Sequence, residues 1–127
     1  MLNLTLLALG GGFGSVLRYI IYTATHETFT HHFPWGTVTV NLLGSFFIGL
    51  AWGILGENNL SKPWRLMLFT GFFGGFTTFS AFALENVNLF SEGKTSLAIW
   101  NILASNIIGI LLVFIGLYLG RLLITSR

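Results

Sequence analysis

The hydrophobic positions of this chain fall into four long runs separated by short polar connections. Crossing the hydrocarbon core takes about twenty apolar residues. Four segments meet that length: roughly Leu4–Tyr22, Trp35–Leu55, Leu66–Phe90 and Ser96–Leu119. Polar residues concentrate between them. Thr25–Pro34 holds His26, His31, His32 and Glu27, Gly56–Pro63 holds Glu57 and Lys62, and Ser91–Thr95 holds Glu92 and Lys94. Tyr22, Trp35, Trp64, Trp100 and Tyr118 fall near the predicted ends, as interfacial aromatics do. The pattern predicts an all-α membrane protein, one four-span domain over residues 1–127.

One run contains an anomaly. Thr70-Gly71-Phe72-Phe73-Gly74-Gly75-Phe76-Thr77-Thr78-Phe79-Ser80-Ala81-Phe82 lies inside the third span, with Gly74 and Gly75 adjacent. Each interior glycine costs a helix about 1 kcal/mol relative to alanine. In a membrane span, non-helical backbone is tolerated where protein buries it or where it lines a wet cavity. A break at mid-depth also presents half-helix ends and bare carbonyls to whatever sits there. The third helix is therefore expected to break near its middle, at an ion site.

Composition strengthens the membrane reading. Of 127 residues, 54% are hydrophobic and only 8% charged, against about 25% charged in soluble domains. The net charge of +2 arises from very few residues and gives no basis for a nucleic-acid partner. With no cysteine, disulfides and thiolate metal sites are excluded. The N-terminal run lacks a basic leader and a small-residue cleavage site, so it reads as the first span and not as a signal peptide. Lys62, Arg65, Arg121 and Arg127 lie on the side that holds both termini, and Arg18 and Lys94 on or near the other. This modest bias favours cytoplasmic termini and is compatible with insertion in both directions.

Each span carries its own polar groups. In span one, Gly11, Gly14, Ser15 and Arg18 share a helical face, a small-residue contact surface ending in a cation. Arg18 lies about a turn inside the segment end, where charge is expensive. It reads as an interfacial anchor or as a cation at an aqueous vestibule. In span two, Thr37, Asn41 and Ser45 share a face. A buried amide needs partners, so Asn41 is either interhelical glue or a pore-lining donor. In span three, Phe79, Phe82 and Glu85 follow the break on one stripe. In span four, Asn101, Ser105 and Gly109 recur every fourth residue, with Gly116 and Gly120 beyond, as a tight packing seam. Asn106 projects about 100° from Ser105 and needs a separate partner.

Catalysis finds little support. No Ser-His-Asp set converges, no phosphate-binding loop is present, and every acid other than Glu85 lies in a connection. The histidine-rich connection lacks the roughly four converging ligands of a closed zinc site and reads as an exposed interfacial loop. A passive ion pathway fits better. Neutral hydroxyls, amides and phenyl ring edges, the positive part of the ring quadrupole, suit an anion. Carbonyls freed around Gly74 suit a hard cation.

Three stretches carry a resemblance. Gly11 to Tyr19 (GGFGSVLRY), Gly36 to Phe46 (GTVTVNLLGSF) and Gly74 to Phe82 (GGFTTFSAF) resemble the signature stretches of the Fluc (CrcB) fluoride channels. The third is the specific one, and the likeness covers essentially the whole chain. It implies an antiparallel, dual-topology homodimer in the lipid bilayer of the inner (plasma) membrane, with two pores that export fluoride passively from the cytoplasm. By the resemblance, Phe79 and Phe82 supply the ring edges that meet fluoride, and Asn41 is the pore amide. Ser80 shares their polar environment, and Arg18 belongs to the vestibule. The backbone carbonyls of Gly74 and Thr77 from both subunits would hold a central structural Na+. Asn106 matches the first position of a polar track along span four, but Ile110 and Phe114 stand where hydroxyls are common. That departure leaves one half of a heterodimeric pair as an alternative. A proton-coupled exporter of small cations is another, although the carboxylate such transporters carry deep in their first span is absent.

Overall fold

The computed structural model describes residues 1–29, 32–56 and 59–125, which form helices and their connections. Helix α1 spans Leu2–Thr28 and α2 spans Trp35–Leu55. The third segment is composite. A short α3 (Lys62–Arg65), with Pro63 in its first turn, runs into a π-helical stretch at Leu66–Phe73 and a closing turn α4 (Gly74–Phe76). Thr77 and Thr78 are non-helical, and α5 (Phe79–Ser91) resumes beyond them. Helix α6 spans Thr95–Thr125. Four helical segments of 27, 21, 30 and 31 residues are thus long and apolar enough to cross a membrane, the third broken as the sequence predicts.

Each predicted span lies inside an observed helix, but three of the helices run on past the apolar run. Threonine hydroxyls explain α1. Thr25 and Thr28 donate to the carbonyls of Ile21 and Ala24 at 2.6 and 2.7 Å, so the last turns keep their hydrogen bonds at the polar interface. His26 and Glu27 therefore belong to α1 and not to a loop. The His26 ring stacks on Tyr22 with centroids 5.7 Å apart and planes 7° from parallel. His31, Glu57 and Arg127 lie outside the described residues.

The helices pack as two tight pairs. Helix α1 lies along the π-helical stretch and α4, and α2 lies along α6. Backbone meets backbone in both. A methyl at Gly14 would overlap the Phe72 carbonyl and stand 2.8 Å from the Phe76 nitrogen. At Gly116 it would overlap the Phe46 carbonyl and stand 2.8 Å from the Leu50 nitrogen. The span-four seam expected from the sequence is present: Asn101, Gly109, Gly116 and Gly120 are all buried. Contact of this kind matters in lipid, where close van der Waals packing replaces the hydrophobic effect between helices.

The second half-helix, α5, is held differently. It packs sparsely on its neighbours and has well-made ends. Thr78 caps its start, with Oγ1 accepting the Ala81 N–H at 3.2 Å. At its end Lys94 N–H bonds Leu89 O at 2.8 Å and Gly93 N–H bonds Phe90 O at 3.0 Å, a Schellman closure with Gly93 at φ +74°.

The seams set an expected outcome. Replacing Gly116 by valine overpacks the α2–α6 contact and should cost about 1–3 kcal/mol, read as a lower thermal midpoint in detergent. Gly12→Ala, at a position with no neighbour within 4 Å, should leave the midpoint unchanged or slightly raised. Equal behaviour of the two variants would refute the close-packing account of Gly116.

Candidate ion pathway

The break is built by one side chain from another span. Asn41 of α2 accepts the Thr78 N–H on Oδ1 at 2.8 Å and donates Nδ2 to the Thr78 carbonyl at 3.0 Å. Both polar ends of the amide are matched to one residue of extended backbone, with φ −147° and ψ 116° at Thr78. Thr77 is extended as well, at φ −88° and ψ 160°, and its N–H and Oγ1 both bond the Phe73 carbonyl at 3.0 and 2.9 Å.

The double glycine is not the break. Gly74 has helical angles, φ −64° and ψ −37°, and the chain opens three residues later. Gly75 faces α1, where a methyl would overlap the Gly11 carbonyl. Close approach explains that glycine, and the Asn41–Thr78 pairing explains the opening.

The pairing has a consequence for two carbonyls. In a continuous helix the Thr78 and Ala81 N–H groups would bond the carbonyls of Gly74 and Thr77. Here those donors go to Asn41 Oδ1 and Thr78 Oγ1. The Thr77 carbonyl instead accepts Arg18 Nη1 at 3.2 Å. Arg18 thus reaches the break itself. Oxygens released in this way are the donor type a hard cation takes, and a carbonyl has two lone pairs, so Thr77 can keep Arg18 and still face an ion. The guanidinium opposes any further positive charge beside it, which weighs against a divalent ion.

The remaining predicted residues arrange around the start of α5. Phe79 is 78% exposed and Phe82 only 9%, with ring centroids 5.8 Å apart and planes at 43°. Ser80 is exposed, its hydroxyl 3.4 Å from Thr78 Oγ1. Asn41, Ser45, Gly74, Thr77, Thr78 and Phe79 line one open groove of about 410 Å³. Asn106 is exposed and folds back on its own helix, donating to the Ile102 carbonyl at 2.7 Å, so its partner is local. Ile110 and Phe114 are exposed at 59% and 64%.

Two polar contacts escaped the sequence reading. The fully buried Thr37 hydroxyl donates to Glu85 Oε1 at 2.5 Å, tying α2 to α5 beyond the rings, while Glu85 Oε2 is buried with no hydrogen-bond partner among the described residues. The signal was available: Thr37 lies one turn from Asn41 and Glu85 one turn from Phe82, on facing stripes. The second contact joins the amides of Asn86 and Asn101, with Asn101 Nδ2 donating to Asn86 Oδ1 at 3.1 Å.

The arrangement suits ion passage and not bond making. The N-terminus of α5 brings unpaired N–H groups and a positive dipole end to the groove, while the α4 side offers carbonyl oxygens. Hydroxyls, one amide and phenyl edges complete it, and Arg18 is the formal charge at the break.

Comparison with known proteins agrees in kind. Residues 5–117 match the family described as CrcB-like protein, Camphor Resistance (CrcB). A "Fluoride-specific ion channel FluC" of Parabacteroides distasonis is 46% identical over 125 residues, covering 98% of both chains. Its namesake in Agrobacterium fabrum is 47% identical over 122 residues, covering 95% of this chain and 98% of that one. One from Magnetococcus marinus is 43% identical over 118 residues. These relatives are named as channels and not as enzymes. With a family match over nearly its whole length and four helices able to span a bilayer, this multi-pass membrane protein belongs to the CrcB family.

Proposed function

We propose that this chain is a fluoride-selective ion channel. The observation that carries the reading is the Phe79–Phe82 pair, mounted on the first turns of a half-helix whose start is fixed by Asn41. Fluoride is small and strongly hydrated, so entry requires groups that replace its water at near-equal free energy. Phenyl edges, first-turn N–H groups and hydroxyls do this without a fixed charge that would trap the ion. Asn41, with both polar ends engaged by Thr78, serves the pathway first by holding the α5 N-terminus in place. Its second amide hydrogen is left to donate to the ion.

Transport is passive in this reading, and an inside-negative membrane potential drives the anion out of the cytoplasm, by about 2.3 kcal/mol per charge per 100 mV. Two copies pair antiparallel, each contributing rings to one of two pores. Support comes from the groove, which a single copy leaves open, with Phe79 78% exposed. The bias in loop charge is modest and is compatible with both orientations. Gly74 and Thr77 carbonyls from the two copies would together hold a structural sodium ion at the centre, supplying fixed positive charge between the subunits. The exposed Ile110 and Phe114 favour a second arrangement, in which a sister subunit supplies the span-four hydroxyls.

Vesicles loaded with fluoride and containing only the purified chain should release it without a proton gradient and retain chloride. Phe79→Ile and Asn41→Ala should each slow release by about tenfold or more, the equivalent of one lost polar contact. Unchanged rates would remove the ring pathway, and no release from the chain alone would favour the sister-subunit arrangement.

The cation has its own test. Exchanging sodium for N-methylglucamine should lower both the fluoride flux and the fraction of dimer on size exclusion. If both are maintained, Gly74 and Thr77 hold no required cation.

A further inference from the structure

We propose that Asn86, Asn101 and Ser105 form a strut that sets the rotation of α5 about its axis and thereby aims the Phe82 ring edge. The inference rests on the fluoride-channel reading and adds positioning residues to it.

The strut is a directed chain of hydrogen bonds. Ser105 Oγ donates to Asn101 Oδ1 at 3.1 Å, Asn101 Nδ2 donates to Asn86 Oδ1 at 3.1 Å, and Asn86 Nδ2 donates to the Phe82 carbonyl at 2.7 Å. Asn101 is 0% exposed and Asn86 only 5%. Apolar side chains would fill such a space without desolvation cost, whereas a buried amide is tolerated only when its partners are in place. What amides add is direction. The bond to Phe82 O fixes the Asn86 side chain against its own helix. The Ser105 hydroxyl orients the Asn101 amide so that its NH2 faces Asn86.

Leverage comes from where the strut acts. Consecutive residues on a helix point about 100° apart. Glu85 bonds Thr37 of α2 on one flank and the adjacent Asn86 bonds Asn101 of α6 on another. With Thr78 held by Asn41, α5 is fixed at its start and gripped from two sides one turn beyond Phe82. The sparse packing of α5 on α6 leaves this rotation to polar contacts. A side chain standing about 5–6 Å from the helix axis moves about 1 Å for a rotation of roughly 10°, a displacement of the size that costs about a hundredfold in other positioned sites.

The experiment measures fluoride release from sparsely loaded vesicles, in which the fraction released reports how many contain a working channel and the rate constant reports each channel's throughput. Wild-type release in the same preparation tests whether the chain alone makes a channel, and its absence would fault that self-sufficient reading and not the strut. Asn86→Leu combined with Asn101→Leu replaces the amide pair with apolar groups of similar size. It should lower the rate constant by about tenfold with the fraction released unchanged. Ser105→Ala should lower the rate by about threefold and Ser105→Thr should restore it. A double variant with a wild-type rate, or one that loses fraction but not rate, would overturn the proposal by showing a packing role alone. Should the double variant fail to reconstitute, Ser105→Ala decides, and a wild-type rate there overturns the strut.

Discussion

An amide side chain paired with a peptide unit is the contact on which the rest of this molecule depends. Inside a bilayer no water is present to satisfy a broken helix, and each orphaned backbone group costs several kcal/mol. Asn41 answers both the N–H and the C=O of Thr78, as a neighbouring strand would. The opening of the third span follows from that substitution of partners. Thr78 is free to cap α5, the Gly74 and Thr77 carbonyls lose their helical donors, and the first turn of α5 opens beside the groove with Phe79 on it.

The scaffold around this contact divides its labour. Two glycine-lined helix pairs, α1 with the π-helical stretch and α2 with α6, bring backbones into direct contact and supply rigidity. The half-helix bearing the rings is instead located by a few directional bonds, from Asn41, Thr37 and Asn101. Packing resists displacement in every direction but specifies angle weakly, whereas a hydrogen bond loses strength steeply as its angle worsens. Holding the rings by polar contacts fixes their aim while sparing the bulk that would close the groove.

Much of this was legible in the sequence, and unevenly. Apolar runs of twenty residues can be little else in a chain this poor in charge, so the four spans could be read directly. Their ends could not, because threonines that bond back to their own helix carry α1 past Tyr22 to Thr28. The broken third span was legible as a region, Thr70 to Phe82, which contains the opening at Thr77 and Thr78. Gly74-Gly75 looks like a break in one dimension, and only the proximity of Gly11 shows its adjacency to be a packing requirement. Asn41, Asn101 and Asn106 were all recognisable as amides in need of partners. Which partner each took was not, since Thr78, Asn86 and the Asn106 helix's own Ile102 carbonyl are equally silent in a linear pattern.

The π-helical stretch at Leu66–Phe73 also bears on how such a chain can change in length. Its wider turns hold more chain per turn than an α-helix does. Deleting one residue there can be absorbed by tightening a turn, leaving everything from Gly74 onward in register with α1 and α2. The same deletion between Phe79 and Glu85 has no slack to draw on and would turn the following residues by about 100°, carrying Asn86 away from Asn101. Losing one residue is therefore cheap on one side of the break and prohibitive on the other.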